Sequence, residues 1–130
     1  TNQSTGTYVA YCFSAVAGYS AFGSYTGNGS ADGPFVYCGF RPRFVLIKRT
    51  DTTGNWLILD TSRNTYNVLD GLLYSNLSDA ETTGVAGTNN WDFLSNGFKP
   101  RGTGALTNAS GGTYIFAAFA ENPFKYALAR

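Results

Sequence analysis

Histidine and methionine are both absent from this chain of 130 residues, cysteine occurs twice, and charge is scarce. Without histidine there can be no His-based catalytic triad and no His-containing zinc site. The two cysteines, Cys12 and Cys38, form no Cys-x-x-Cys pair and cannot hold a structural zinc alone. No glycine-rich phosphate loop of the Walker or dinucleotide type opens a helix, and Gly27-Asn28-Gly29 reads as a turn. No apolar run approaches the roughly 18 residues that signal a membrane-spanning helix. No secretory leader is visible either, and the lack of an initial Met is expected of a processed product or a piece of a longer protein. Charged residues make up 13% of the chain, about half the usual share. The net charge of +1 favours neither nucleic acid nor membrane insertion or an anionic lipid surface.

What the chain has instead is aromatic side chains, at 16%, with 9 Tyr, 10 Phe and 16 Gly. Aromatic and β-branched residues fit a pleated surface, while Gly and Asn make turns, so this composition predicts an all-β protein. The length suits one domain able to bury about two thirds of its unfolded surface. Residues 1–6 read as a polar linker or extended arm, and 7–130 as a single domain.

The most telling stretch is Thr113–Glu121, apolar on both faces. Thr113, Ile115, Ala117 and Phe119 alternate with Tyr114, Phe116, Ala118 and Ala120. A half-exposed strand would alternate apolar with polar, so this one is expected to be central in its sheet or covered on its outer face. Its pattern is echoed at the other end of the chain. Gly6-Thr7-Tyr8-Val9-Ala10-Tyr11-Cys12-Phe13-Ser14 repeats the Gly, Thr, Tyr and Phe of Gly112–Ala120, with Val for Ile. A first strand is therefore expected over 7–15. Either it lies beside the last strand in one sheet, or the chain is a slice of a tandem array.

Between these ends, a strand is expected over 35–40. A hairpin follows with arms Arg43–Thr50 and Asn55–Thr61, each carrying a continuous apolar run and hence buried on two sides. Residues 62–90 read as a long surface excursion, and such excursions are often functional. A second hairpin places Ser95-Asn96-Gly97 between Trp91–Leu94 and Phe98-Lys99. Residues 102–112 read as a loop. Many short strands at this spacing predict an antiparallel β-sandwich, jelly-roll-like, with long polar loops.

Cys12 and Cys38 fall on separate expected strands, as a disulfide or as two small buried hydrophobes. Two carboxylates would suffice for a glycosidase, and the eight acidic residues offer pairs such as Asp60 with Asp92 or Glu121, though nothing in the sequence places them together. The 62–81 loop offers Asp and Asn oxygens, but no calcium-loop spacing; neither a metal nor a cofactor is indicated. Arg41, Arg43, Lys48 and Arg49 could meet phosphates, or flank a strand and guard an edge. Sugar sites combine aromatic faces with a few Asn, Asp or Arg anchors. Two groups could supply them: Tyr19, Tyr25, Asn28 and Asp32, and Arg63, Asn64, Tyr66 and Asn67.

Four stretches read together carry a resemblance: Phe22–Gly29, Gly39–Arg49, Asp92–Lys99 and Gly112–Phe124, with Ala-Phe-Ala-Glu-Asn-Pro-Phe the most specific tag. Over roughly Thr7 to Lys125 the chain resembles an uncharacterised C-terminal module of tail-fibre and other structural proteins of tailed, chiefly aquatic and marine, bacteriophages. The resemblance implies an extracellular virion component with a role in assembly or adhesion. It transfers no catalytic or ligand residues.

The expectation is thus a non-catalytic virion domain, of tail-fibre or appendage type, that assembles with other virion subunits and presents loops to a host-surface polysaccharide. Multivalency would strengthen weak contacts. A homo-oligomer is expected, because two-faced apolar strands in a charge-poor chain need cover; a trimer follows only by analogy with fibres. The alternatives are a purely architectural capsid-decoration or fibre-repeat subunit without ligand, and a polysaccharide-active hydrolase.

Overall fold

The structure, a computed structural model, describes residues 3–83 and 88–122. Among the described residues eight strands and one short helix follow in the order β1 (Ser20–Thr26), β2 (Val36–Tyr37), β3 (Pro42–Arg49), β4 (Trp56–Asp60), β5 (Leu73–Tyr74), β6 (Trp91–Leu94), β7 (Gly97–Pro100), α1 (Ala105–Asn108) and β8 (Thr113–Ala120). Two antiparallel sheets result, ordered β1-β8-β3-β4-β5 and β2-β7-β6. The all-β, two-sheet architecture expected from the composition is what the chain adopts.

β8 is central, paired on one side with β1 and on the other with β3. Its inward residues line up with those of its neighbours into rows. Gly23, Phe116, Ile47, Leu57 and Tyr74 form one such row, and Ala21, Ala118, Val45 and Leu59 the next. The small sheet closes over these rows with Trp91, Phe93 and Phe98, all fully buried. Phe98 meets Phe116 edge-on, with ring centroids 5.2 Å apart, and a second edge contact joins it to Tyr25 at 6.0 Å. Burying each large side chain contributes about 1.5–3 kcal/mol, so this interlayer seam is the main source of stability. At Gly97 a Cβ would collide with the Val36 carbonyl, so only glycine lets β2 pair there.

The two expected hairpins are present as β3–β4 and β6–β7, the second turning through Ser95-Asn96. The excursion between them is irregular but anchored. Leu69 bridges Trp91, Leu72 bridges Thr82, and the Asn67 amide both accepts from Phe93 N and donates to Phe93 O, each at 3.0 Å. Leu69 and Leu72 enter the core.

Four expectations need correction. Residues 7–15 form no strand: they are exposed and have no regular structure, and the first strand, which does lie beside the last, is Ser20–Thr26 instead. The strand expected over 35–40 is only Val36–Tyr37, because Gly39, at φ 81°, turns the chain away. β3 and β4 are buried on one face and half-buried on the other, since a second layer covers only the inner side. Finally, residues 102–112 contain α1, whose single turn is too short to show a helical period.

Candidate functional site

The outer face of the five-stranded sheet is apolar across its whole width. Phe22, Ala117, Leu46, Ile58 and Leu73 make one row, every member half-buried. Beside it run Ser24, Ile115, Lys48 and Trp56, in which Ile115 is 42% exposed and Trp56 36%. On the other flank Phe119 gathers Phe22, Phe44, Tyr19 and Phe13 at centroid distances of 5.9–6.2 Å. A strand row is normally filled by side chains of similar height, but Ala117 is short. Its neighbours Phe22 and Leu46 therefore stand above it as walls.

The result is a groove of about 390 Å³, lined chiefly by Phe13, Phe22, Leu46, Trp56, Ile115 and Ala117. Phe13, from the arm, stacks on Phe22 at 5.8 Å and closes one end while remaining 67% exposed. Such a surface suits a flat apolar body, such as the face of a sugar ring or another aromatic side chain. Lys48 stands between Ile115 and Trp56, and its ammonium donates to Arg49 O at 2.6 Å, holding the charge at the rim. No carboxylate lines the groove.

The eight residues expected to bind sugar are not gathered. Tyr25 is in the core: it stacks on Tyr114 at 4.9 Å and donates from its hydroxyl to Thr107 O at 2.8 Å. Burial first, and the nearby Tyr114 second, push its hydroxyl pKa well above the usual value. Tyr19 stands at the opposite end of β1, roughly 20 Å away at 3.3 Å per residue. It packs edge-on against Phe119. Asn28 builds its own loop, with its side chain accepting from Ser30 N and donating to Asp32 O. Asp32 is exposed between Lys99 at 2.6 Å and Arg101 at 3.1 Å; the Lys99 hydrogen bond, then its charge, lower the carboxyl pKa.

What holds that loop is a residue outside the expected set. Asn108 is fully buried; its oxygen accepts from Asn28 N at 2.8 Å, while its amide nitrogen reaches Asn28 Oδ1, Ser30 O and Gly102 O at 2.7–3.1 Å. One side chain in α1 thus ties together two loops that the sequence leaves separate.

The second group is closer together but mostly occupied. Arg63 binds Asp60 at 2.7 Å and Glu81 at 3.1 Å, and donates to Ile58 O. Asn64 accepts from Gly71 N and donates to Asp70, and Asn67 is committed to Phe93. Only Tyr66, 83% exposed, has its ring free for contact. Burial raises the Asp60 pKa, but hydrogen bonds from Arg63 and from the Ser62 and Arg63 backbone outweigh it, leaving the carboxyl below its usual range.

Each carboxylate considered as half of a glycosidase pair is ion-paired with an arginine: Asp60 with Arg63, Asp92 with Arg101 at 3.2 Å, and Glu121 with Arg41 at 2.9 Å. The basic cluster guards no edge, because β3 lies between β8 and β4. Arg49 instead clamps Asp51 with both Nε and Nη2, and this hydrogen bonding is the main cause that lowers the Asp51 pKa to about 2. Cys12 and Cys38 are free thiols, the first exposed, the second half-buried with its pKa pushed by burial up to about 11. Among the described residues no three Cys, Asp or Glu side chains gather as metal ligands would.

Fold and surface together define a class: a two-sheet antiparallel β-domain with one apolar sheet face and an extended aromatic arm left uncovered. The chain belongs to the family described as Domain of unknown function (DUF7483), whose model matches residues 1–123, arm included. No curated protein and no solved structure matches it.

Sequence reasoning missed Phe13, Leu46, Trp56, Ile115 and Ala117 as a surface. The signal was there in the strands apolar on both faces, which a single covering layer cannot bury twice.

Proposed function

We propose that this chain is a non-catalytic structural domain of a virion, of tail-fibre or appendage type, acting outside the cell in assembly and in contact with a host-surface polysaccharide. The observation that carries the reading is the outer groove: an open aromatic surface on a rigid sheet, with polar side chains around it committed to fixing loops. Weak contacts of that kind gain strength from repetition in an oligomeric appendage. The virion setting rests on the resemblance of Phe22–Gly29, Gly39–Arg49, Asp92–Lys99 and Gly112–Phe124 to phage structural modules.

A glycan array tests adhesion. Specific binding that is lost in Trp56→Ala or Tyr66→Ala, with the fold intact by circular dichroism, supports it. Silence on every glycan transfers the reading to a purely architectural capsid-decoration or fibre-repeat subunit, for which the same apolar face would serve packing alone. Turnover of a polysaccharide, abolished by Asp60→Asn, would overturn both.

A further inference from the structure

β1 is an edge strand satisfied on one side only. Tyr19 O accepts from Ala120 N toward β8, whereas Ser20 turns the other way and exchanges both of its backbone bonds with Val16. By the alternation of an antiparallel strand, Phe22, Ser24 and Thr26 also turn their N–H and C=O groups to the open side. No hydrogen bond to another described residue engages them there. Free edges are normally guarded by lysine, proline or a bulge. Neither β1 nor the whole arm before it carries a charged residue or a proline.

The arm has the side chains of a strand that already fits β1. Thr7–Phe13 repeats the pattern of Thr113–Phe119, which pairs with β1 from Thr26 to Ser20 on its other side. Yet it is unpaired, with Tyr8 at 55%, Val9 at 80% and Tyr11 at 82% exposure. Its own tether keeps it off the edge. Extending the Val16–Ser20 bridge as a hairpin would set Phe13 opposite Gly23, on the core face, where the Phe116 ring already fills the space a Cβ of Gly23 would take, at 3.0 Å. The chain instead peels away, and Phe13 folds over the outer face onto Phe22.

We propose that the free edge of β1 receives the arm of a second copy of this chain, antiparallel and in the register that β8 uses on the opposite side. Thr7 then lies against Thr26, Val9 against Ser24 and Tyr11 against Phe22. Val9 and Tyr11 join the outer apolar face, and Tyr8, Ala10 and Cys12 take the side of Tyr25, Gly23 and Ala21. The added strand supplies the missing backbone partners and removes the exposed arm rings from water. This assembly mode stands on the fold and the arm alone, and holds whether or not the protein binds a glycan or belongs to a virion.

Light scattering and sedimentation of the full chain test it, with Val9→Pro in the arm and Ser24→Pro on the edge. Each proline deletes one donor of the new ladder, whereas the Ser24 N–H faces away from β8, so the existing sheet keeps its bonds. The native chain is expected to self-associate reversibly, and either variant to weaken association by about tenfold or more with unchanged circular dichroism. Should Ser24→Pro fail to fold, Val9→Pro decides alone, since Val9 touches no core. A native chain that stays monomeric up to its solubility limit overturns the proposal, as does association that Val9→Pro leaves untouched.

Discussion

Gly6–Ser14 and Gly112–Ala120 share Gly, Thr, Tyr and Phe at four of nine positions, with Val for Ile at a fifth, and end in opposite places. Tyr114 is fully buried, donates to Ala105 O at 2.8 Å and accepts from Ala109 N at 2.8 Å. Its counterpart Tyr8 is more than half exposed, and its hydroxyl accepts from Gln3 N, within the arm. Phe119 is the hub of the outer aromatic cluster, whereas Phe13 is a lid at its margin. Both segments are rich in the aromatic and β-branched residues that favour strands, so strand preference alone did not separate them. What separates them is the presence of two neighbours: β8 has β1 and β3, and the arm pairs with no strand among the described residues. A strand sequence states what a segment can pair with, and the rest of the fold decides whether anything is left to pair.

Matched substitutions in the two segments are the sharpest way to break that comparison. Tyr114→Ala removes a buried ring and two hydrogen bonds and should cost about 3–5 kcal/mol in urea unfolding. The same change at Tyr8 should stay within about 0.5 kcal/mol for the isolated chain. Equal losses would mean that the arm is part of the monomer's core. Next in size is Asn108→Ala, which strands Asn28 N, Ser30 O and Gly102 O beneath α1. A loss of about 1–3 kcal/mol is expected, with the Thr26–Pro34 loop exchanging amide hydrogens faster. An unchanged exchange pattern there would show that the two loops hold without it.

Acid should unbalance the two regions as well. Asp32, Asp51 and Asp60 have folded pKa values below their unfolded ones, and Asp51 lies at about 2. The unfolded chain takes up protons first, so stability is complete above about pH 4 and falls as the pH drops toward 2. Asp51→Asn should flatten the last part of that fall in thermal melts. The charge-free arm contributes nothing to it. On the groove side, Trp56→Ala should change stability by no more than about 1 kcal/mol, because the side chain is a wall of an open groove. Its effect belongs to binding or assembly, and a large loss in melting temperature would move Trp56 into the core.

Much of the framework was legible in the residues. The runs around Val45 and Leu57 marked the β3–β4 hairpin, Asn96-Gly97 marked the β6–β7 turn, and the doubly apolar Thr113–Ala120 read as a strand either central or covered outside, of which the first holds. The candidate site was far less legible. Tyr25 and Tyr66 look alike in sequence, each among Asn, Ser and Thr, yet one stacks inside on Tyr114 and the other stands free. Asn64, Asn67 and Asn28 have the chemistry of sugar anchors but spend it on Gly71, Phe93 and Ser30. An amide that binds a ligand and an amide that closes a loop are the same group, and only its neighbours distinguish them. The groove, in turn, depends on Ala117 lying between Phe22 and Leu46, three residues brought together from three strands.

The residues by themselves determined the class of fold, the core strands, the two hairpins and the surplus of apolar surface, because alternation and turn chemistry act over a few neighbouring positions. The tertiary structure alone decided which of two similarly patterned segments became a strand and which aromatic rings face water. It also decided where Asn108 spends its hydrogen bonds. Those outcomes depend on pairings between residues far apart in the chain, and a linear pattern holds no information on which partners are already taken.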